Sequence, residues 1–216
     1  MHATPSSQQP VASAPIAQTI NLSHAWGNHW LFDELNLSVG PGVTLIHGDE
    51  QTGKTTLLRL LSGELAPSQG RVVVAGLASD DRPDRFAQQV FRTHPMDPAL
   101  DQTSPNEWFD ALATRYPAFD RHRLSELVMD FDLKPHVAKP LYMLSTGSRR
   151  KVSLSAAFAS GAPLVLIDQP FAALDAPSIR LLREQFQRLA HQTQRACVIA
   201  DYEAPPDVTL AGALAL

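Results

Sequence analysis

The sequence predicts an α/β fold with a mainly parallel sheet core, a small antiparallel β part at the N-terminus and an inserted helical subdomain. Three observations predict it. Short apolar, β-branched runs recur along the chain, separated by helix-periodic segments. One of these runs leads directly into a glycine-bearing loop and a helix start. Between about residues 87 and 158 strand signals fade and helical periodicity replaces them.

The elements follow in order. Residues 1–17 are rich in Pro, Ser, Ala and Gln and read as a disordered leader, with one domain over 18–216. Ile20 to Leu22 and Leu35 to Val39 read as short strands, and Pro41-Gly42 as a turn. Val43 to His47 is an apolar run of the kind buried inside a sheet. Thr55 to Ser62 reads as a helix, with Gly63 suited to its C-terminal cap. Val72 to Val74 gives another strand. Asn106 to Tyr116 and Arg121 to Phe131 carry helical periodicity within the inserted stretch. Strand signals return at Leu164 to Ile167, Cys197 to Ala200 and Val208 to Leu214, with a helix over Pro177 to Gln192.

Composition bounds the function. The chain has 216 residues, 44% of them apolar, enough for one domain with its own core. A net charge of -4 gives a nucleic-acid partner no general electrostatic support. Cys197 is the only cysteine, which excludes an intrachain disulfide and fits a reducing compartment. Its strand setting suits a small apolar residue. No apolar run reaches the ~18 residues that span a bilayer. The N-terminus has neither the basic start nor the apolar block of a signal peptide. A membrane role therefore requires another chain.

The chemistry concentrates in two places. Gly48-Asp49-Glu50-Gln51-Thr52-Gly53-Lys54-Thr55 fits the phosphate-loop pattern G-x4-G-K-[ST] in full. A strand ends, the chain turns tightly, and backbone N–H groups at a helix N-terminus face inward to cradle phosphate oxygens. Gly48 and Gly53 permit the turn. Lys54 supplies positive charge to the β- and γ-phosphates, and the Thr55 hydroxyl can ligate magnesium. Thr56 completes the expected nucleotide-contacting set. Downstream, Pro163 to Asp168 is an apolar strand ending in an acid, the type of carboxylate that holds the magnesium shell in P-loop NTPases. The next residue is Gln169. An amide can hold an attacking water by hydrogen bonding but cannot accept its proton. The sequence thus predicts ATP and Mg2+ binding with weakened hydrolysis.

Taken in order, these pieces resemble the ATPase subunit of ATP-binding cassette (ABC) transporters. Leu144-Ser145-Thr146-Gly147-Ser148 resembles the LSGGQ signature, and Ile167-Asp168-Gln169-Pro170-Phe171-Ala172-Ala173-Leu174-Asp175 resembles the LDEPFAGLD block. The resemblance runs from about Ile20 to Leu214 and implies a role for each matched residue. Trp26 matches the aromatic that stacks on adenine. Ser145 and Gly147 match the groups that reach a γ-phosphate bound by the opposite subunit. Asp175 matches a D-loop aspartate at the dimer interface.

Departures from the pattern are as informative. Gln51 occupies a position that is usually glycine. His94 falls where a glutamine would contact magnesium and water, Gln169 replaces the catalytic glutamate, and Tyr202, with Asp201 as the alternative, aligns with the switch histidine. His94, Gln169 and Tyr202 form the expected catalytic set. The triplet Arg149-Arg150-Lys151 reads as a solvated helix start in preference to a basic patch. The other histidines lack metal-ligand spacing. The resemblance implies a subunit at the inner, cytoplasmic face of a membrane, held by a permease and dimerising with itself or with a second ATPase subunit. A non-transport regulatory or scaffolding module is the alternative. A nucleic-acid-remodelling ATPase is disfavoured, because the chain is minimal and has neither a second cassette nor a long insertion.

Overall fold

The computed structural model describes residues 14–27 and 29–216. The strands are β1 (Ala17–Trp26), β2 (His29–Leu35), β3 (Ser38–Val39), β4 (Gly42–His47), β5 (Gln69–Val74), β6 (Leu77–Ala78), β7 (Val90–Arg92), β8 (Leu164–Asp168), β9 (Ala196–Asp201) and β10 (Leu210–Ala215). The helices are α1 (Lys54–Ser62), α2 (Pro83–Phe86), α3 (Pro105–Arg115), α4 (Arg121–Asp130), α5 (Thr146–Ala159) and α6 (Ala176–Ala190). They form two sheets. One is wholly parallel, in the order β10-β4-β9-β8-β7. The other is antiparallel, in the order β2-β1-β5-β6, with β3 also pairing β1.

The parallel sheet is covered on both faces, which is why its strands read as unbroken apolar runs. Side chains alternate between the faces. Val43, Leu45, Val165, Ile167, Cys197 and Ile199 join the core that contains α3 to α6. Ile46, Leu164, Leu166, Ala196, Val198 and Ala200 join the core shared by α1 and the antiparallel sheet. Registration is direct: Asp168 and Ile46 both lie level with Ala200. The functional ends of β8 and β4 therefore share one edge of the sheet.

Helix ends follow local chemistry. Gly63 ends α1 in a left-handed cap. Ser104 and Glu107 form a capping box at the start of α3. Asp120 caps α4 through the Arg123 amide. Along α5, every residue from Val152 to Ala159 is buried, and its small side chains allow close approach of neighbouring elements.

Several expectations need correction. The expected leader lies outside the described residues as far as residue 13, but Ala17 opens β1 and is fully buried between β3 and β5. The strand expected over Leu35 to Val39 is divided. Leu35 ends β2, and Asn36 turns the chain by donating to the Asn21 side chain and the Glu34 carbonyl. Most of β2 went unpredicted because only Phe32 of its seven residues is buried, so no alternation marks it. The stretch from 87 to 158 contains β7, which pairs with β8 and belongs to the parallel sheet. Three residues are too few to show a period, and the partner strand creates β7.

Phe186 of α6 lies fully buried between the rings of Phe158 and Phe171, each 6.0 Å away between centroids. Phe186→Ala removes a filled volume that the sheet cannot collapse into. It is expected to cost about 3–5 kcal/mol, read as a lower urea midpoint at unchanged slope.

Candidate nucleotide-binding site

The site begins where β4 stops. After His47 the chain passes through Gly48 to Gly53, and α1 starts at Lys54. Gly53 adopts φ +101°, and a β-carbon there would lie 2.9 Å from the Phe32 ring, so both conformation and space require glycine. Gln51 adopts φ +65°. The non-glycine residue thus takes the left-handed shape itself, at a strain of about 1–2 kcal/mol. Lys54 is buried, and its Nζ donates to the carbonyls of Gly48 (2.6 Å) and Asp49 (2.5 Å). Thr52 Oγ1 donates to the same Asp49 carbonyl at 3.0 Å. These bonds use two of the three ammonium donors and curl the loop around the lysine.

A cavity of about 410 Å3 opens above this loop. Glu50, Gln51, Gly53, Lys54, Thr55 and Thr56 form its floor. Trp26 and Leu31 line it from the antiparallel sheet, and Asp168, Gln169 and Tyr202 from the parallel one. Thr55 Oγ1 donates to Asp168 Oδ2 at 2.5 Å. Two hard oxygens therefore converge beside the lysine, a donor pair suited to magnesium that fills its remaining positions with water and phosphate. Among the described residues no cluster of three or more His, Cys, Asp or Glu offers a self-sufficient metal cage. Trp26 is 57% exposed and presents an open ring for stacking. Tyr202 covers Lys54, whose Nζ is 4.8 Å from the ring centroid, and its hydroxyl donates to Glu50 Oε1 at 3.2 Å. That hydrogen bond, helped by nearby carboxylates, raises the phenol above its usual range, so Tyr202 is a donor at neutral pH.

The signature-like residues lie apart from this cavity. Ser145 caps α5, accepting from the Ser148 amide at 3.1 Å. A β-carbon on Gly147 would sit 2.5 Å from the Ala173 carbonyl oxygen, so this glycine lets α5 touch the loop after β8. Asp175 caps α6 through the Ser178 amide at 2.9 Å and pairs with Lys151 at 2.7 Å.

The ABC transporter family model matches residues 32–172, more than half of the chain. The chain belongs to the ABC transporter family. A cytochrome c biogenesis ATP-binding export protein from Methylococcus capsulatus is 33% identical, with 73% of this chain and 77% of that one covered. A taurine import ATP-binding protein from Pseudomonas entomophila is 29% identical, over 98% of this chain and 76% of that one. The fold also matches the solved structure of an ATP-binding subunit of an ABC transporter, with a TM-score of 0.79 at 21% identity over 87% of this chain and 79% of that one. This ABC chain is accordingly an ATP-binding subunit with a P-loop α/β core. Among its described residues no helix is long and apolar enough to cross a membrane.

Two expectations about this ABC protein's site change. His94 does not line the P-loop cavity. It follows β7 and lines a second cavity of about 320 Å3 with Phe91, Trp108, Arg115 and Tyr116, and its Nδ1 lies 3.7 Å from Asp97. The triplet after the signature is not a solvated helix start. Arg149 is buried, donates to the Pro95 carbonyl at 2.9 Å and pairs with Asp101 at 2.8 Å. Arg150 donates to the carbonyls of Asp168 and Gln169, and Lys151 holds Asp175. Sequence reasoning also missed Leu31, whose strand carried no periodic signal. Cys197 is fully buried, which pushes its thiol up to about 12 and leaves it inert.

The Lys151 ammonium, followed by the Ser178 contacts, holds the Asp175 carboxyl well below the usual carboxylate range. Both favour the charged form, so any stability they add is complete above the unfolded value and lost as pH falls through the lower folded one. Lys151→Met is expected to move the Asp175 midpoint upward in a carboxyl 13C NMR titration. An unmoved midpoint would show that Lys151 is not the cause.

Proposed function

We propose that this subunit binds MgATP at the P-loop cavity, dimerises across its signature face and drives a membrane permease, with intrinsically slow hydrolysis. The observation that carries the reading is the convergence of the Thr55 hydroxyl and the Asp168 carboxylate beside Lys54. Lys54 exchanges its loop carbonyls for β- and γ-phosphate oxygens. Thr55 and Asp168 hold Mg2+, which neutralises phosphate charge when bound. Trp26 stacks on adenine, and Tyr202 donates to a phosphate oxygen in place of an imidazole. Gln169 orients water through its amide but takes no proton.

Dimerisation uses Ser145 and Gly147, which lie outside the cavity at the start of α5 and would face a nucleotide held by the opposite subunit, and Asp175 at the interface. Two copies of this chain would place Gln169 in both composite sites. Beside a second ATPase subunit with an intact glutamate, the signature residues would complete a competent site, while the site on Lys54 would retain ATP. The membrane partner docks on the helical stretch of residues 87–158, where half-buried Trp108 and exposed His94 and Arg115 line the second cavity. Relatives named for export and for import support a transport role, with the chain at the cytoplasmic face.

Calorimetric titration with MgATP is expected to give saturable binding to the wild type and loss of affinity in Lys54→Ala. Equal affinity in both would remove the P-loop from the reading. Gln169→Glu supplies the missing base and is expected to raise steady-state turnover by up to ~10²-fold. Fast turnover in a pure wild-type homodimer would overturn the slow-hydrolysis reading.

A further inference from the structure

The residues around Arg150 show a device that acts on Gln169 from behind. Gln169 adopts φ +45°, a left-handed backbone unusual outside glycine. Its amide donates to the Ala200 carbonyl at 2.8 Å, which anchors it to β9. Its own carbonyl accepts from Arg150 Nη1 at 2.7 Å, and the same Nη1 reaches the Asp168 carbonyl at 3.1 Å. The amide of Ala172 shares the Gln169 carbonyl at 3.2 Å.

The guanidinium is committed to main chain. Among the described residues no carboxylate lies within ion-pair distance of it. Its Nε is buried with no hydrogen-bond partner, which is costly for a charged group. A side chain needed only for solubility would swing into water. This one stays half-buried against two consecutive carbonyls, where a cation makes its strongest hydrogen bonds.

We propose that Arg150 is a positioning residue: by clamping the Asp168 and Gln169 carbonyls it fixes the left-handed turn that aims the Gln169 side chain at the nucleotide cavity, and it ties that turn to the helix carrying Ser145 and Gly147. Arg150 lies one turn into α5, so a displacement of the signature end of the helix reaches Gln169 through one side chain hydrogen-bonded to its carbonyl. The arrangement also explains a left-handed residue at this point. The turn is held at its amide by Ala200 and at its carbonyl by Arg150, so strain persists because both ends are fixed. The functional consequence rests on the reading of Gln169 as the residue that faces the attacking water. The structural consequence does not.

The test uses the full chain and two readouts. Amide hydrogen exchange is measured without nucleotide in wild type, Arg150→Ala and Arg150→Lys. In Arg150→Ala, exchange over residues 169–173 is expected to rise about tenfold, the scale of losing one charge-assisted hydrogen bond. The amides of β8 and the C-terminal half of α5 keep wild-type rates. Arg150→Lys, which retains a cation and three donors, recovers at least part of the protection. With MgATP, Arg150→Ala is expected to lower kcat about tenfold with KM little changed, the signature of lost positioning. Unchanged exchange over 169–173, or exchange raised equally across α5 and β8, would overturn the proposal. If Arg150→Ala fails to fold, Arg150→Gln is read by the same criteria. Absence of MgATP binding in the wild type would count against the P-loop reading alone, since the exchange result decides the role of Arg150 without nucleotide.

Discussion

The contact between Thr55 and Asp168 is the constraint on which the site depends. The two residues are far apart in sequence, and their oxygens meet at 2.5 Å. They meet because β4 and β8 both pair in parallel with β9, in a register that sets Ile46 and Asp168 level with Ala200. Parallel strands bring their C-terminal ends to one edge, and α/β sheets bind ligands outside that edge. A slip of one residue in the β8–β9 pairing would turn Asp168 toward the other face, because side chains alternate along a strand. The two apolar cores that cover the sheet hold the register, so packing far from the cavity fixes the spacing of the oxygens inside it.

The second organising feature is α5. Its N-terminal turn carries Ser145 and Gly147, and its buried half anchors it among α3, α4 and the sheet. Between them, three consecutive basic residues reach three loops. Arg149 holds the segment after β7, Arg150 the end of β8, and Lys151 the cap of α6. Successive helix residues point about 100° apart, so a triplet can address three directions. The close approach of Gly147 to Ala173 adds a fourth contact at the helix tip. The segment after β7, the turn after β8 and the cap of α6 are therefore tied to this helix.

Part of the backbone strain lies in the loops around the site, the rest in turns elsewhere. Gln51, Gln169 and Ala173 all adopt left-handed conformations without being glycine. Such residues persist where surrounding bonds over-determine them. Lys54 and the loop carbonyls hold the first segment, and Ala200 with Arg150 holds the second. At both Gln51 and Gln169 a residue with a full side chain takes a left-handed backbone.

The sequence by itself determined the phosphate loop, the strand-terminal Asp168 and the order of the cassette motifs. Each is local: a run of eight residues specifies a turn and a helix start, and an apolar strand ending in an acid needs no distant partner to be recognised. The same locality explains Gly63 and the helices α1, α3, α4 and α6. Tertiary structure decided the rest. The strand β2 has one buried residue and β7 has three residues in all, so both exist only through pairing with β1 and β8. Leu31 enters the cavity because β2 does. His94 lines a second cavity because the chain turns after β7, and although Pro95 marks that turn, the cavity itself is built by residues of other elements. Arg149, Arg150 and Lys151 are hydrophilic at a helix start, a pattern that reads as solvated in one dimension. Their acceptors are main-chain carbonyls and carboxylates from other elements, and a carbonyl acceptor leaves no trace in the identity of its residue.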